Sequence, residues 1–434
     1  MLNCNNVKAF MAENHFIKKI LSQLKYFWKM LGSGLITGAS DDDPSAITTF
    51  SQAGAQFGLA TLWMALFAFP FLAVLQEMSA RIGLVTRKGL TGVVKAHYPK
   101  WVLYFVIFIT CPAFLLNIGA DIAMIGSVGN MLFPSITAMY ISIGISVFIF
   151  ISMLMLHYRK LIVLMKYVCL CLLVYTIVPF ISSQHLSNVF KHSIIPSLQF
   201  NKEFFIIITA IWGAIISPYV FFWQASVEAE EFENRKYLLT KKKSVFLEMR
   251  KDIIYGAFFA VLIMYSIILT SGTVLYNNNI RTINTVKDAA MALFPLAGKL
   301  SYLLFAIGII ATGLLIIPVL AGSVSYILSE AFNWKKGFNK KFKDAKHFYA
   351  FIFIAILIGL LIQFLKINPV KVLLFTTALY GIIAPFVIAL ILHICNNKKI
   401  MGAHINSLSS NIFGFLALLF LSTSSFALLY FSFF

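Results

Sequence analysis

Between Leu31 and Phe50 the chain reads LGSGLITGASDDDPSAITTF, an apolar run long enough to cross a bilayer, broken by Asp41, Asp42 and Asp43 and then by Pro44. A charge near the bilayer centre is costly, and proline removes a backbone donor while clashing with the preceding turn. Interrupted backbone persists at that depth only where it lines a protein interior or a water-filled cavity. A carboxylate beside unpaired carbonyl oxygens is the ligand set that a hard cation takes. The run therefore predicts a broken membrane helix that holds a cation.

Of the 434 residues, 60% are hydrophobic and 12% charged. A soluble domain could not bury that much apolar surface, so the composition predicts an all-α polytopic membrane protein embedded in a lipid bilayer. The formal net charge of +19 is better explained by Lys- and Arg-rich loops on one side of the membrane than by a nucleic-acid partner. Cys4, Cys111, Cys169, Cys171 and Cys395 lack disulfide or zinc spacing and read as small buried apolar residues. No HExxH, GxSxG or paired-histidine motif occurs, so neither an enzyme nor a bound cofactor is expected. The polar N-terminal segment lacks the apolar core and cleavage site of a secretory signal. A compact chain of this kind suits a bacterial inner membrane.

Hydropathy predicts eleven spans, roughly 31–56, 60–80, 101–130, 137–156, 161–182, 204–230, 253–276, 299–330, 347–365, 370–395 and 410–432. With the N-terminus cytoplasmic and the C-terminus outside, 28 Lys and Arg fall on the cytoplasmic side and 7 on the other, covering all 35. The sixth span repeats the oddity of the first. Ile206 to Ala225 reads IIITAIWGAIISPYVFFWQA, with Ser217-Pro218 near its middle and Pro218 lying 174 positions after Pro44. A proline kink would explain either break alone. An offset of five spans reverses topology, so two breaks at matching positions predict an inverted 5+5 repeat with discontinuous helices 1 and 6 and a mid-membrane substrate site. The expected division is a cytoplasmic segment 1–30, a first repeat 31–182, a second repeat 183–396, and a loop with the last helix at 397–434.

Other polar residues within or beside the spans are open to plainer readings. Glu228, Glu230, Glu231 and Glu233 read as a solvated face, and Glu77 with Arg81 as a surface i,i+4 ion pair. Trp212 and Trp223 flank the second break and read as packing. Gly308, Gly313 and Gly322 are expected to let helices approach closely. Asp121, four residues after Asn117 inside the third span, is an intramembrane acid and so a functional candidate.

These residues carry a family resemblance. GSGLITGASDDDP resembles the first helix of the NRAMP divalent-metal transporters, in which a Gly-rich start leads to an Asp-Pro-Gly-Asn motif. The distance from Gly32 to Asp43 matches, and SQAGAQFGLATLW (51–63) and LQEMSARIGLVTRKGL (75–90) resemble the region of the second helix. The likeness extends more weakly over most of the chain and implies eleven helices in a LeuT-like fold, with Asp43 in the place of the metal-ligating aspartate. The departures are informative. Asp-Pro-Gly-Asn becomes Asp43-Pro44-Ser45-Ala46, the sixth-helix Met-Pro-His-Asn becomes Ser217-Pro218-Tyr219-Val220, and the third-helix Asp-x-x-Glu proton pair becomes Asp121-Ile122-Ala123-Met124. Eight positions before Pro385, Thr377 stands where the family usually has glutamine. The chain thus resembles a divergent NRAMP-related branch, some members of which resemble magnesium transporters.

The resemblance implies a metal site of Asp43, the carbonyls of Ser40 and Ala214, the Ser217 hydroxyl and Thr377. Losing the thioether and asparagine ligands leaves oxygen donors, which favour magnesium or manganese over softer metals. The smaller side chains fit a partly hydrated ion, because magnesium sheds its waters reluctantly. The expected function is a secondary transporter of divalent cations working by alternating access, with the ion as substrate. Proton coupling is open: Asp121 and Asp42 are the relay candidates, the family's glutamate is missing, and no histidine lies near either break. The competing reading is an organic-solute symporter of amino-acid type on the same fold, which the three aspartates at the break oppose. A channel would be separated by its lack of saturable kinetics. The sequence carries no signal for oligomeric state.

Overall fold

The computed structural model describes residues 42–155, 186–234, 242–365 and 367–433. Within them the regular structure is helical throughout, as expected where lipid offers backbone groups no partner. The helices are α1 (Pro44–Phe57), α2 (Met64–Thr86), α3 (Leu90–His97), α4 (Lys100–Leu132), α5 (Ala138–Met155), α6 (Leu186–Ile194), α7 (Lys202–Ile215), α8 (Pro218–Asn234), α9 (Lys242–Val274), α10 (Ser301–Phe332), α11 (Lys346–Gln363), α12 (Pro369–Asn396) and α13 (Leu408–Phe433), with short turns of helix between α9 and α10 and between α12 and α13. Among the described residues nine stretches are long and apolar enough to cross a membrane, the α7–α8 pair counting as one. The other two of the eleven expected spans are the first, of which α1 is the described part, and the fifth, 161–182, which lies outside the described residues, as do Ser40 and Asp41.

Burial shows which helices form the centre. In α5 only Ser142, Ser146, Ile149 and Met153 are buried, a single stripe at helical spacing, while Tyr140, Val147 and Phe148 point outward. By contrast α7 from Ile207 onward and the first three turns of α8 are buried on all sides. The helices sort into two packed groups: α1 packs on α9, α9 on α2 and α2 on α8, while α4, α5, α10 and α11 lie against one another. Helix α12 packs on α7, α4 and α1, and α13 lies behind α7 and α12. Helix α1 touches α4 and α12 as well as its own group, so its N-terminus sits where the groups meet.

Small residues set one crossing that positions the site. A Cβ on Gly213 of α7 would run into the Thr377 carbonyl and the Gly381 amide of α12, and a Cβ on Gly381 into the Thr209 carbonyl. Only glycine at both positions lets the two backbones touch. Gly313 and Gly322 also stand at close approaches, against Ile125 and Trp223. Gly308 is buried as well, with no described atom within 4 Å of its Cβ position.

Two expectations about charge are corrected. Arg81 and Glu77 do pair, at 3.3 Å, but they are buried rather than on the surface. Arg81 also donates to the carbonyls of His404 (2.9 Å) and Ile405 (3.0 Å) and to Asn406 Oδ1 (2.5 Å), tying the loop before α13 to α2. Nor do Glu228 and Glu230 of α8 belong to a solvated face. Glu228 is buried and accepts from Gln224. Glu230 accepts from the Tyr326 hydroxyl (2.5 Å) and the Phe338 and Asn339 amides (3.2 and 2.8 Å). The segment after α10 folds over Glu230, which sequence spacing does not reveal.

Candidate metal site

Asp43 is the N-cap of α1, with extended backbone (φ −72°, ψ 173°) and Pro44 as the first helical residue. Proline suits that position because its missing N–H would have no partner there. Asp43 Oδ1 accepts from the Ala46 amide (2.6 Å) and the Ser45 hydroxyl (2.5 Å). A cap of this kind contributes about 1 kcal/mol to a helix, and it fixes the plane of the carboxylate. The second oxygen, Oδ2, faces α4, where it accepts from Asn117 Nδ2 at 3.3 Å.

Asn117 connects three helices. Its Nδ2 also donates to Asp121 Oδ2 at 3.1 Å, one turn further along α4. Its Oδ1 accepts from the Thr376 hydroxyl of α12 at 2.7 Å. Asn117, Asp121 and Thr376 are fully buried and Asp43 is 2% exposed. Several polar atoms nearby have no partner: Asp121 Oδ1, both Asp42 carboxylate oxygens and the Tyr380 hydroxyl. Asp42 and Asp121 lie within electrostatic reach of Asp43, and Tyr380 within reach of both Asp43 and Asp121. Among the described residues no Lys or Arg pairs with any of these acids. Buried acceptors without donors are costly. A hard divalent cation would fill them with the ligand type it prefers.

The second break lies between α7 and α8. Helix α7 ends at Ile215, Ile216 leaves helical geometry (φ −115°, ψ 58°), and Pro218 starts α8. Ser217, 2% exposed, sits in the gap. Its hydroxyl is within donor range of the Ala214 carbonyl (2.7 Å) and the Gly213 carbonyl (3.0 Å), so its one proton serves the open end of α7 while its lone pairs stay free. Tyr219 follows directly, and its ring packs on Phe114 and Tyr380, the centroids 6.0 and 5.7 Å away. Trp212 packs on Phe71 and Phe420, and Trp223 on Tyr326 and Phe338, in keeping with a packing role.

Of the residues singled out from sequence, Asp43 and Asp121 are joined through Asn117, Asp42 is buried beside Asp43, and Ser217 and Ala214 bond to each other at the second break. The Thr377 hydroxyl lies 2.9 Å from that of Thr49. Thr49 is six residues beyond Asp43, roughly 9 Å along the helix. Thr376, one position earlier, makes the bond into the Asp43 cluster. Sequence reasoning gave Asn117, Thr376 and Tyr380 no role. The signal was the spacing: Asn117 with Asp121, and Thr376 with Tyr380, are i,i+4 polar pairs in apolar helices. Among the described residues no three His, Cys, Asp or Glu side chains form a metal-binding group, so any cation here would rely on neutral oxygens as well as acids.

Comparison with known proteins agrees with this architecture. The pattern of the family described as natural resistance-associated macrophage protein-like (Nramp) matches residues 34–431. A divalent metal cation transporter MntH from Clostridium acetobutylicum is 26% identical over 437 residues, spanning 99% of this chain and 96% of its own. Another from Caldanaerobacter subterraneus subsp. tengcongensis is 29% identical over 298 residues, 67% of this chain and 69% of its own. Among solved structures, the Eremococcus coleocola manganese transporter in complex with an aromatic bis-isothiourea substituted compound shares the fold, with a TM-score of 0.74 at 17% identity over 92% of this chain and 86% of that one. With all but the ends of its sequence matched by one family pattern, this membrane protein belongs to the Nramp family.

Proposed function

We propose that this chain is a secondary transporter of divalent metal cations, with an oxygen-donor site that favours magnesium- or manganese-like ions. The observation that carries the reading is Asp43: a buried carboxylate at a helix interruption, one oxygen fixed by the cap and the other turned towards Asn117 and Asp121. The names of the MntH relatives support a divalent metal as cargo. Ser217 in the second gap supports a hard ion, since a hydroxyl suits magnesium or manganese better than thiophilic metals. Substrate reaches such a site from alternate sides as one helix group rocks against the other, and α1 lies where the groups meet. Asp121 and Asp42 are the groups through which protons would be coupled. The excess of Lys and Arg in alternate loops supports a cytoplasmic N-terminus. An amino-acid symporter is disfavoured, because buried Asp42 and Asp43 would repel a substrate carboxylate.

The test is uptake by purified protein in liposomes, comparing magnesium, manganese and calcium, with Asp43→Ala as control. Saturable uptake of magnesium that the control lacks supports the reading. Manganese uptake with no magnesium signal would overturn the hard-ion preference, and no divalent flux at all would overturn the function.

A further inference from the structure

We propose that Asn117 is the positioning residue of this site: its side-chain amide holds Asp43 and Asp121 in register, and through it an ion at Asp43 acts on α4. This rests on the divalent-cation reading above and adds to it a residue and a role.

With both carboxylates ionised, the amide has one favoured orientation. Ionised carboxylates only accept hydrogen bonds, so the end of Asn117 facing both Asp43 Oδ2 and Asp121 Oδ2 must be the NH2 group. The other end, Oδ1, lies 2.7 Å from the Thr376 hydroxyl, whose one proton it shares with the Leu373 carbonyl at 2.8 Å. The two carboxylates set the orientation, and the Thr376 hydroxyl, which can donate or accept, ties the amide to α12, so turning the side chain breaks both bonds to the acids. Its two N–H groups go one to each carboxylate.

That arrangement leaves an opening of defined direction. Asp43 Oδ1 is filled by Ser45 and Ala46, so the carboxylate cannot rotate to offer it. Asn117 occupies one acceptor direction of Oδ2, at the long distance of 3.3 Å, and a carboxylate oxygen has two. Among the described residues no second hydrogen bond reaches Oδ2, which leaves that direction for a cation while Asn117 stays in place. Asn117 is thus no ligand itself; it aims the ligand oxygen and supplies the donor that keeps two buried acids from facing each other bare. It also spans the two helix groups, because Asp43 belongs to α1 and Asn117 to α4. Movement of one group against the other must stretch the Asn117–Asp43 bond, so an ion that draws Oδ2 towards itself alters the contact between the moving parts.

The experiment measures initial uptake of Mg2+ and Mn2+ against concentration in proteoliposomes of full-length wild type, Asn117→Ala, Asn117→Gln, Thr376→Val and Thr376→Ser. Asn117→Ala should raise KM at least tenfold with Vmax changed less than threefold. Thr376→Val, which frees the amide to turn, should raise KM several-fold, and Thr376→Ser, which restores the hydroxyl, should return it to wild type. A merely structural role would lower Vmax and thermal stability together and would not separate Val from Ser at position 376. If Asn117→Ala fails to fold, the Asn117→Gln and Thr376 variants carry the test. Wild-type KM in Thr376→Val together with wild-type KM in a folded Asn117 variant overturns the proposal while leaving the function standing. Absence of divalent uptake by the wild type overturns both.

Discussion

Ser217 closes the open end of α7 by turning its hydroxyl onto the Ala214 carbonyl, 2.7 Å away, in the gap before Pro218. The bond satisfies a carbonyl that the helix break would leave exposed, and it leaves the oxygen lone pairs of Ser217 for another partner. If that partner is a hard ion, replacing oxygen by sulfur should change selectivity more than stability. Ser217→Met is expected to lower magnesium uptake and improve competition by manganese or cadmium about tenfold, a shift of ~1.4 kcal/mol. Competition assays in proteoliposomes would check it. An unchanged order of ions would mean that Ser217 serves only as a cap.

Asp43 has two separable duties, capping α1 and offering charge. Asparagine caps helices as well as aspartate does, so Asp43→Asn should keep the bonds to Ser45 and Ala46 while removing the anionic oxygen. The protein is expected to fold and melt close to wild type, with divalent uptake reduced at least tenfold. Asp43→Ala should lose both, with the cap costing about 1 kcal/mol more. Wild-type transport by Asp43→Asn would reduce Asp43 to a structural role.

The Tyr380 hydroxyl gives a test of opposite sign. It is buried, has no partner, and lies near Asp43 and Asp121. An unpaired buried hydroxyl costs about 1–3 kcal/mol, so Tyr380→Phe should raise the apparent melting temperature in ion-free buffer. If the hydroxyl meets the ion or one of its waters, the same variant should gain less stability than wild type when magnesium is added. Equal stabilisation of both proteins by magnesium would take Tyr380 out of the site.

The helical class, the membrane spans and the second break are all written in the order of residues, because apolar length and proline act locally. Asp43 was legible for the same reason, since an acid beside proline in a lipid-spanning run has few explanations. The partners of Asp43 were not. Asn117 precedes Asp121 by one turn, so their shared face could be read, but the approach of Asp43 and Thr376 depends on how α1, α4 and α12 cross. The choice between Thr376 and Thr377 turns on a rotation of about 100° about α12, set by the Gly213–Gly381 contact. The burial of Glu230 and Arg81 is not legible in sequence, because the loops that cover them come from residues 338–339 and 404–406, far away along the chain.

Away from the Asp43 cluster, Glu330 offers a check on how α3 is held to α10. Its carboxylate, 6% exposed, accepts from the Gly89 and Gly92 amides (2.8 and 2.6 Å) and pairs with Lys336. A residue at the end of α10 thereby caps the first turn of α3, and Lys95 returns the contact by donating to the Ala331 carbonyl at 2.6 Å. The fit is close enough that a Cβ on Gly89 would collide with Glu330 and Ser226. Glu330→Ala leaves the buried Gly89 amide, the part-buried Gly92 amide and the partly exposed Lys336 without their acceptor, and an unpaired buried donor costs about 1–3 kcal/mol. Glu330→Gln keeps one acceptor oxygen and should cost less than half as much. Gly89→Ala should resemble Glu330→Ala, since either change drives α3 from α10. Thermal unfolding of the three purified variants tests the order. Equal, small losses in all three would show that α3 is held by its apolar face, through Leu90, Val93 and Val94, and that the carboxylate contributes little to the joint.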